Sequence, residues 1–310
     1  MSRTTRTLTL VAALLAVTGL VAACGGGDGG TTTKAEPAAE AAGLANDTTL
    51  PIQKLEAVVP GGPDGEFTFT ATPALTAGPV EVTLTNHGSL EHQAMLMKFT
   101  PGADFAEFAA AAAADPSGTT ALALVEGYGG PNAAAPGQSR SSTQVLDVGD
   151  YMLICVLPGE DGAPHAAHGM VLPFAVKPGT TPVTARTPTG VEADHEVKLI
   201  DFGFDGAEGT FRGGETIHVV NAGHQAHEFV AYRLDEGASV EDFTAAMTDD
   251  SGPPPAKPGT GLGALAPGRA ADLTLPDEPG RYVLFCMLPD VAGDSLPHVA
   301  HGMVAGMDMG

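Results

Sequence analysis

The sequence predicts an all-β chain made of two tandem Greek-key β-sandwich domains, each carrying a short helical insertion. Three observations predict it. A block of sequence recurs about 135 residues downstream in the same internal order. Short segments with alternating apolar and polar residues, rich in β-formers, are punctuated by Gly and Pro. No long helical periodicity alternates with these segments, which disfavours a parallel α/β sheet.

At the N-terminus, Arg3 and Arg6 precede an apolar stretch, Leu8 to Ala23, too short to span a bilayer. It ends in Val21-Ala22-Ala23-Cys24, which resembles the lipobox of bacterial lipoproteins. Residues 1–23 are therefore expected to be a signal peptide and Cys24 the lipidated residue, which makes the membrane a partner through that anchor. Residues 24–47 are rich in Gly, Ala, Thr and Glu without apolar periodicity, the composition of a flexible tether. The expected location is extracytoplasmic, lipid-anchored to the cell membrane. With 14 basic against 37 acidic residues, the chain is a poor partner for nucleic acid.

The first domain is expected over residues 48–178. Val80–Thr85 alternates as a strand with one buried face, and Phe67–Ala71, Ala94–Phe99, Tyr151–Val156 and Val171–Val176 also read as strands. Asp104–Ala114 is helix-like, with Phe108 on its apolar face. Residues 179–190 read as a Pro/Thr/Gly-rich linker. The second domain, 191–310, repeats the pattern with strands at Val197–Phe202, Thr216–Val220, Glu228–Arg233 and Tyr282–Cys286 and a helix at Ser239–Met247. The segment after Met303 reads as weakly β, with Met307 and Met309 in a frayed end.

Within the repeat, Asn86-His87-Gly88-Ser89-Leu90-Glu91-His92 recurs as Asn221-Ala222-Gly223-His224-Gln225-Ala226-His227, a displacement of 135. The Gly149–Cys155 segment recurs as Gly280–Cys286, displaced by 131. His165-Ala166-Ala167-His168-Gly169-Met170 recurs as His298-Val299-Ala300-His301-Gly302-Met303, displaced by 133. Each copy thus supplies a His after a strand, then a Cys at the end of a later strand, then a His and a Met in the adjoining loop. Two imidazoles and a thiolate in a plane with a weak thioether contact suit copper, because the set compromises between the preferences of its two oxidation states.

These segments resemble the cupredoxin family, plastocyanin-like blue-copper domains in particular. The resemblance implies one type 1-like copper site per copy, with His92, Cys155, His165 and Met170 in the first and His227, Cys286, His298 and Met303 in the second. Its step of five residues from His to Met is present in both copies, whereas the Cys-to-His intervals, nine residues in one and eleven in the other, exceed the family's. His168 and His301 compete for the second imidazole position. The implied function is electron transfer or copper handling, with a redox partner or copper-acceptor protein. The competing readings are a disulfide between Cys155 and Cys286 and a metal-free interaction or scaffold lipoprotein. No His-x-His occurs and neither Cys has a His neighbour, so the chain is not expected to be an enzyme.

Overall fold

The computed structural model describes residues 50–115, 118–249 and 252–310. The expected signal peptide, the expected lipidation residue Cys24 and the expected tether lie outside the described residues. Among the described residues, no helix is long and apolar enough to cross a membrane.

The first copy contributes strands β1 (Gln53–Val59), β2 (Leu75–Thr76), β3 (Gly78–Asn86), β4 (Met95–Phe99), β5 (Val125–Gly127), β6 (Ser139–Leu146), β7 (Gly149–Ile154) and β8 (Val171–Lys177), with helices α1 (Phe105–Ala114) and α2 (Thr119–Leu122) between β4 and β5. The second contributes β9 (His195–Ile200), β10 (Gly203–Asp205), β11 (Thr210–Phe211), β12 (Thr216–Asn221), β13 (His227–Leu234), β14 (Ala256–Leu265), β15 (Ala270–Thr274), β16 (Gly280–Phe285) and β17 (Val304–Met309), with α3 (Val240–Asp249) after β13. The all-β class and the helical excursions are as the sequence predicts. Two expectations are corrected. Phe67–Ala71 is a turn and extended chain, its only pairing an isolated bridge at Thr70. The closing segment is a full strand along β16, in which Met307 and Met309 turn into the core.

Each copy is a sandwich. Alternation along β3 puts Val80, Val82 and Leu84 inward against Leu96, Tyr151 and Leu153 of the facing sheet. Val197, Leu199, Ile217 and Val219 meet Phe229, Tyr282 and Leu284 in the same way in the second copy. Cys155 and Cys286 follow directly on their strands and are fully buried in these inner clusters. The helices cover the outer faces through Phe108 and Phe243.

The copies share one seven-stranded sheet, ordered β1-β3-β6-β15-β12-β9-β10, in which β6 of the first copy pairs antiparallel with β15 of the second. Ser142 faces Leu273 there, and at the displacement of 131 these are equivalent positions. The outer sheets, β2-β8-β7-β4-β5 and β11-β17-β16-β13-β14, are also sewn edge to edge. The Gly129 and Asn132 amides donate to Ala264 and Gly261 carbonyls (2.8 and 2.9 Å), and Pro131 faces its own equivalent, Leu262. The seam therefore has local pseudo-two-fold symmetry. Ala133 completes the second copy's outer cluster and its equivalent Ala264 completes the first's. Glycine permits the approach, since a Cβ on Gly127 would lie 2.4 Å from the Ala264 carbonyl oxygen.

Charged clamps flank the seam. Arg269 reaches Asp147 (3.2 Å) and stacks on Tyr128, and at the equivalent end Arg140 lies 3.7 Å from Glu278. Although burial opposes its charge, Asp147 is held well below the usual carboxylate range by hydrogen bonds from Tyr128, Tyr151 and Lys98 and by Arg269.

Candidate metal centres

The repeated Asn opens the loop that carries the first His. The Asn86 side-chain amide donates to the carbonyls of Leu90 (2.8 Å) and Ala134 (2.9 Å), while its Oδ1 accepts from the Gly88 amide (2.8 Å). Asn221 does the same with Gln225, Leu265 and Gly223 (2.8, 2.6 and 2.9 Å). This side-chain-closed turn delivers His92 and His227, both fully buried, to the inner end of the sandwich.

The repeated Gly admits a carboxylate. A Cβ on Gly88 would lie 2.6 Å from Glu66 Oε1, and one on Gly223 would lie 2.4 Å from Asp201 Oδ1. Through that gap Glu66 meets His92 Nε2 at 3.1 Å, and Asp201 meets His227 Nε2 at 2.5 Å. Glu66 also accepts from the Ser89 and Leu90 amides, and Asp201 from the His224 amide. Burial opposes the charge of both carboxylates, but these bonds prevail: Glu66 is lowered and Asp201 is brought down to about 2. An ionised acceptor at Nε2 makes Nε2–H the donor, so each Nδ1 presents its lone pair to the interior. Neither carboxylate was singled out from the sequence. The signal was there, because Glu66-Phe67 and Asp201-Phe202 are also 135 residues apart.

The second His opens a single 3-10 turn, His165–His168 or His298–His301, that ends on a left-handed Gly169 or Gly302 (φ 103° and 93°), which is why Gly separates this turn from Met. Backbone bonds lace the loop to the Cys strand. The Ala166 amide donates to the Cys155 carbonyl (2.8 Å), Met170 to His165 (3.1 Å) and Cys155 to Met170 (3.2 Å), and the second copy repeats this with Val299, Met303 and Cys286.

In the first copy His165 Nδ1 lies 3.2 Å from His92 Nδ1 and 3.4 Å from Cys155 Sγ. In the second, His298 Nδ1 lies 3.0 Å from His227 Nδ1 and 3.3 Å from Cys286 Sγ. Each set of three ligand atoms lies within 4.8 Å of one another. Both cysteines are free thiols, not a disulfide. Met170 and Met303 are fully buried in the same clusters as the sulfurs. His168 and His301 point elsewhere, to Asp161 (3.2 Å) and Asp294 (2.9 Å). Phe67 and Phe202 wedge between the paired histidines of each closing loop, with every ring centroid 4.9 Å away.

The donor set fits a metal ion. A trigonal plane with metal–nitrogen bonds of about 2 Å has nitrogen–nitrogen edges near 3.5 Å, close to the separations found. His165 Nε2 and His298 Nε2 are buried without a hydrogen-bond partner, so the Nδ1 atoms carry these rings' polar role. Burial, with the neighbouring His, brings His165 and His298 down to about 4. Burial pushes the Cys155 thiol up to about 12, and burial with Glu228 pushes Cys286 higher still. The imidazoles and the thiol of each donor set are neutral, and a cation bound by them displaces the thiol proton.

Among solved structures, the chain is similar to an auracyanin from Roseiflexus castenholzii (24% identity, 38% of this chain, 99% of that chain, TM-score 0.26). It is also similar to a plastocyanin from Dryopteris crassirhizoma (18%, 37% of this chain, 99% of that chain, TM-score 0.23) and to a multicopper oxidase (15%, 85% of this chain, 92% of that chain, TM-score 0.23). No protein-family model matches the chain, and no curated protein matches it. The oxidase corrects one reading: the expectation that the chain is not an enzyme does not stand, because an oxidase is among the similar structures.

Proposed function

We propose that each copy binds one copper ion through His92, Cys155 and His165, or His227, Cys286 and His298, with the thioethers of Met170 and Met303 as weak further ligands, and that the protein carries electrons outside the cytoplasm. We also propose that residues 48–178 and 191–310 are the two copper domains and that Cys24 anchors them to the membrane through the tether. The supporting observation is the convergence of two lone-pair Nδ1 atoms on one thiol, twice in one chain, each time behind a carboxylate that sets the tautomer. A thiolate beside two imidazoles is soft enough for Cu(I) and strong enough for Cu(II).

When bound, copper supplies a one-electron couple. The chain supplies the restraint: Glu66 and Asp201 hold the first imidazoles, the 3-10 turns hold the second, and the Cys sulfurs accept backbone amides, as from Glu228 to Cys286 (3.3 Å). A ligand set so restrained moves little when its charge changes. Ligands that are nearly inaccessible to solvent also favour retaining the ion over handing it on.

Titration of the purified full chain with Cu(II) tests this. Two equivalents and an intense visible thiolate-to-copper band are expected, with one equivalent lost in Cys155→Ser and the other in Cys286→Ser. A colourless protein after titration rejects the reading, and rapid loss of copper to an acceptor chelator replaces electron transfer with copper handling. For the anchor, Cys24→Ser is expected to release the protein from the membrane fraction.

A further inference from the structure

Glu91 immediately precedes the ligand His92, and its carboxylate crosses the seam. Both of its oxygens lie 2.7 Å from the Tyr232 hydroxyl, which belongs to β13 of the other copy. The Tyr232 ring stands edge-on to Phe285, centroids 5.0 Å apart at 90°. Phe285 is bonded through one peptide to the ligand Cys286. An unbroken chain of contacts therefore joins the first site to the second: His92, Glu91, one hydrogen bond, Tyr232, one ring contact, Phe285, Cys286.

The seam's pseudo-symmetry provides an internal control. Its second, equivalent crossing would use the counterparts of Glu91, Tyr232 and Phe285, which are Ala226, Met97 and Ile154 at the displacements of 135 and 131. None of these offers a ring or a hydrogen-bond donor, and Ala226 brings no acceptor, so the crossing is built once. General packing of the seam does not explain three matched differences that each lie on the line between the two ligand sets. Nor does the seam need the bond for charge, since its ion-pair clamps, Arg269 with Asp147 and Arg140 with Glu278, lie elsewhere.

We infer that Glu91, Tyr232 and Phe285 form an electron-transfer bridge that couples the two metal sites, so that the chain works as a two-centre relay. This rests on the copper reading above. With copper held by the two His-Cys-His sets, one electron would pass from Cu(I) at one, leaving Cu(II), to Cu(II) at the other, leaving Cu(I). The Tyr232 hydroxyl keeps its proton and no bond breaks.

The test is the intramolecular exchange rate in the copper-loaded full chain, independent of protein concentration. It is followed by pulse radiolysis where the site potentials differ, and by exchange broadening of ligand-imidazole resonances in half-reduced protein where they coincide. Tyr232→Phe and Glu91→Ala are each expected to slow exchange, compared at matched driving force, by an order of magnitude or more, with both visible bands held. Glu91→Gln, which still accepts the hydroxyl's bond, is expected to recover the rate relative to Glu91→Ala. Wild-type rates in both Tyr232→Phe and Glu91→Ala overturn the bridge while leaving the copper reading intact. A wild-type chain that fails to show two copper bands removes both together.

Discussion

The two centres have the same donor types in the same geometry, held by the same Asn-closed turn and backbone lacing, yet several of the polar groups around them differ. In the first, a Glu reaches His92 at 3.1 Å; in the second, a shorter Asp reaches His227 at 2.5 Å and is also bonded to His224. Gln93 follows the first His, whereas the buried Glu228 follows the second. The longer loop before His298 brings Asp290, which accepts from Gln225 at 3.0 Å and ties that loop to the one carrying His227. Between the two copies the inner donors are the same and some of the groups around them differ, as expected if the donors define the chemistry and the outer groups set its strength.

The largest test of that contrast removes the outer carboxylates. Glu66→Ala and Asp201→Ala are each expected to weaken copper binding at their own site by about 10–100-fold, with the larger loss at Asp201, measured by chelator competition. Equal losses would show that the closer carboxylate has no added weight. Next comes the seam that holds the halves together. Gly127→Ala places a methyl against the Ala264 carbonyl and should cost about 1–3 kcal/mol in a thermal or denaturant melt, without loss of copper stoichiometry.

A smaller effect separates the sites electrostatically. Burial pushes Glu228 up to about 7, so above that pH a carboxylate lies beside the second thiolate. Glu228→Gln is then expected to raise the second site's potential and leave the first unchanged, read by spectroelectrochemistry. Gln93→Glu should lower the first.

The smallest effect concerns one cross-strand pair. His218 and Asp272 lie 2.6 Å apart on β12 and β15, and their first-copy equivalents are the uncharged Thr83 and Ser141, 2.8 Å apart. The bond to Asp272 raises His218 above its usual value. Because the folded value is the higher one, the pair's contribution is complete below about pH 6.5 and is lost as pH rises through the raised value. His218→Gln should flatten that part of the stability profile, measured as melting temperature against pH.

Much of this was legible in the chain itself. Val80–Thr85 read as a strand because one face is buried and the other is not, and the donors were found because a thiol and imidazoles recurred in register. Other features were hidden for physical reasons. β14 runs through Lys257-Pro258-Gly259-Thr260-Gly261-Leu262-Gly263, a composition that reads as loop, and is a strand because Gly259 and Gly261 fit closely against β13 and Tyr282 of their own copy while Gly263 admits the Gly129 carbonyl of the other. Glu66 and Asp201 resemble any surface acid until the Gly gap beside each is seen. Phe67 looked β-forming, but its ring is used against His165 and His168. The seam is a relation between halves, and no local pattern encodes it.

Joining β6 to β15 and the Gly129–Asn132 segment to β14 hides backbone that each half would otherwise leave open to solvent. A half-chain produced alone would carry unpaired donors and acceptors along two rims, and each rim is complementary to itself because equivalent residues face one another across it. Such a fragment should associate with a second copy of itself rather than persist as a monomer. Fusing the two halves makes that association intramolecular and keeps the sticky rims from recruiting neighbours.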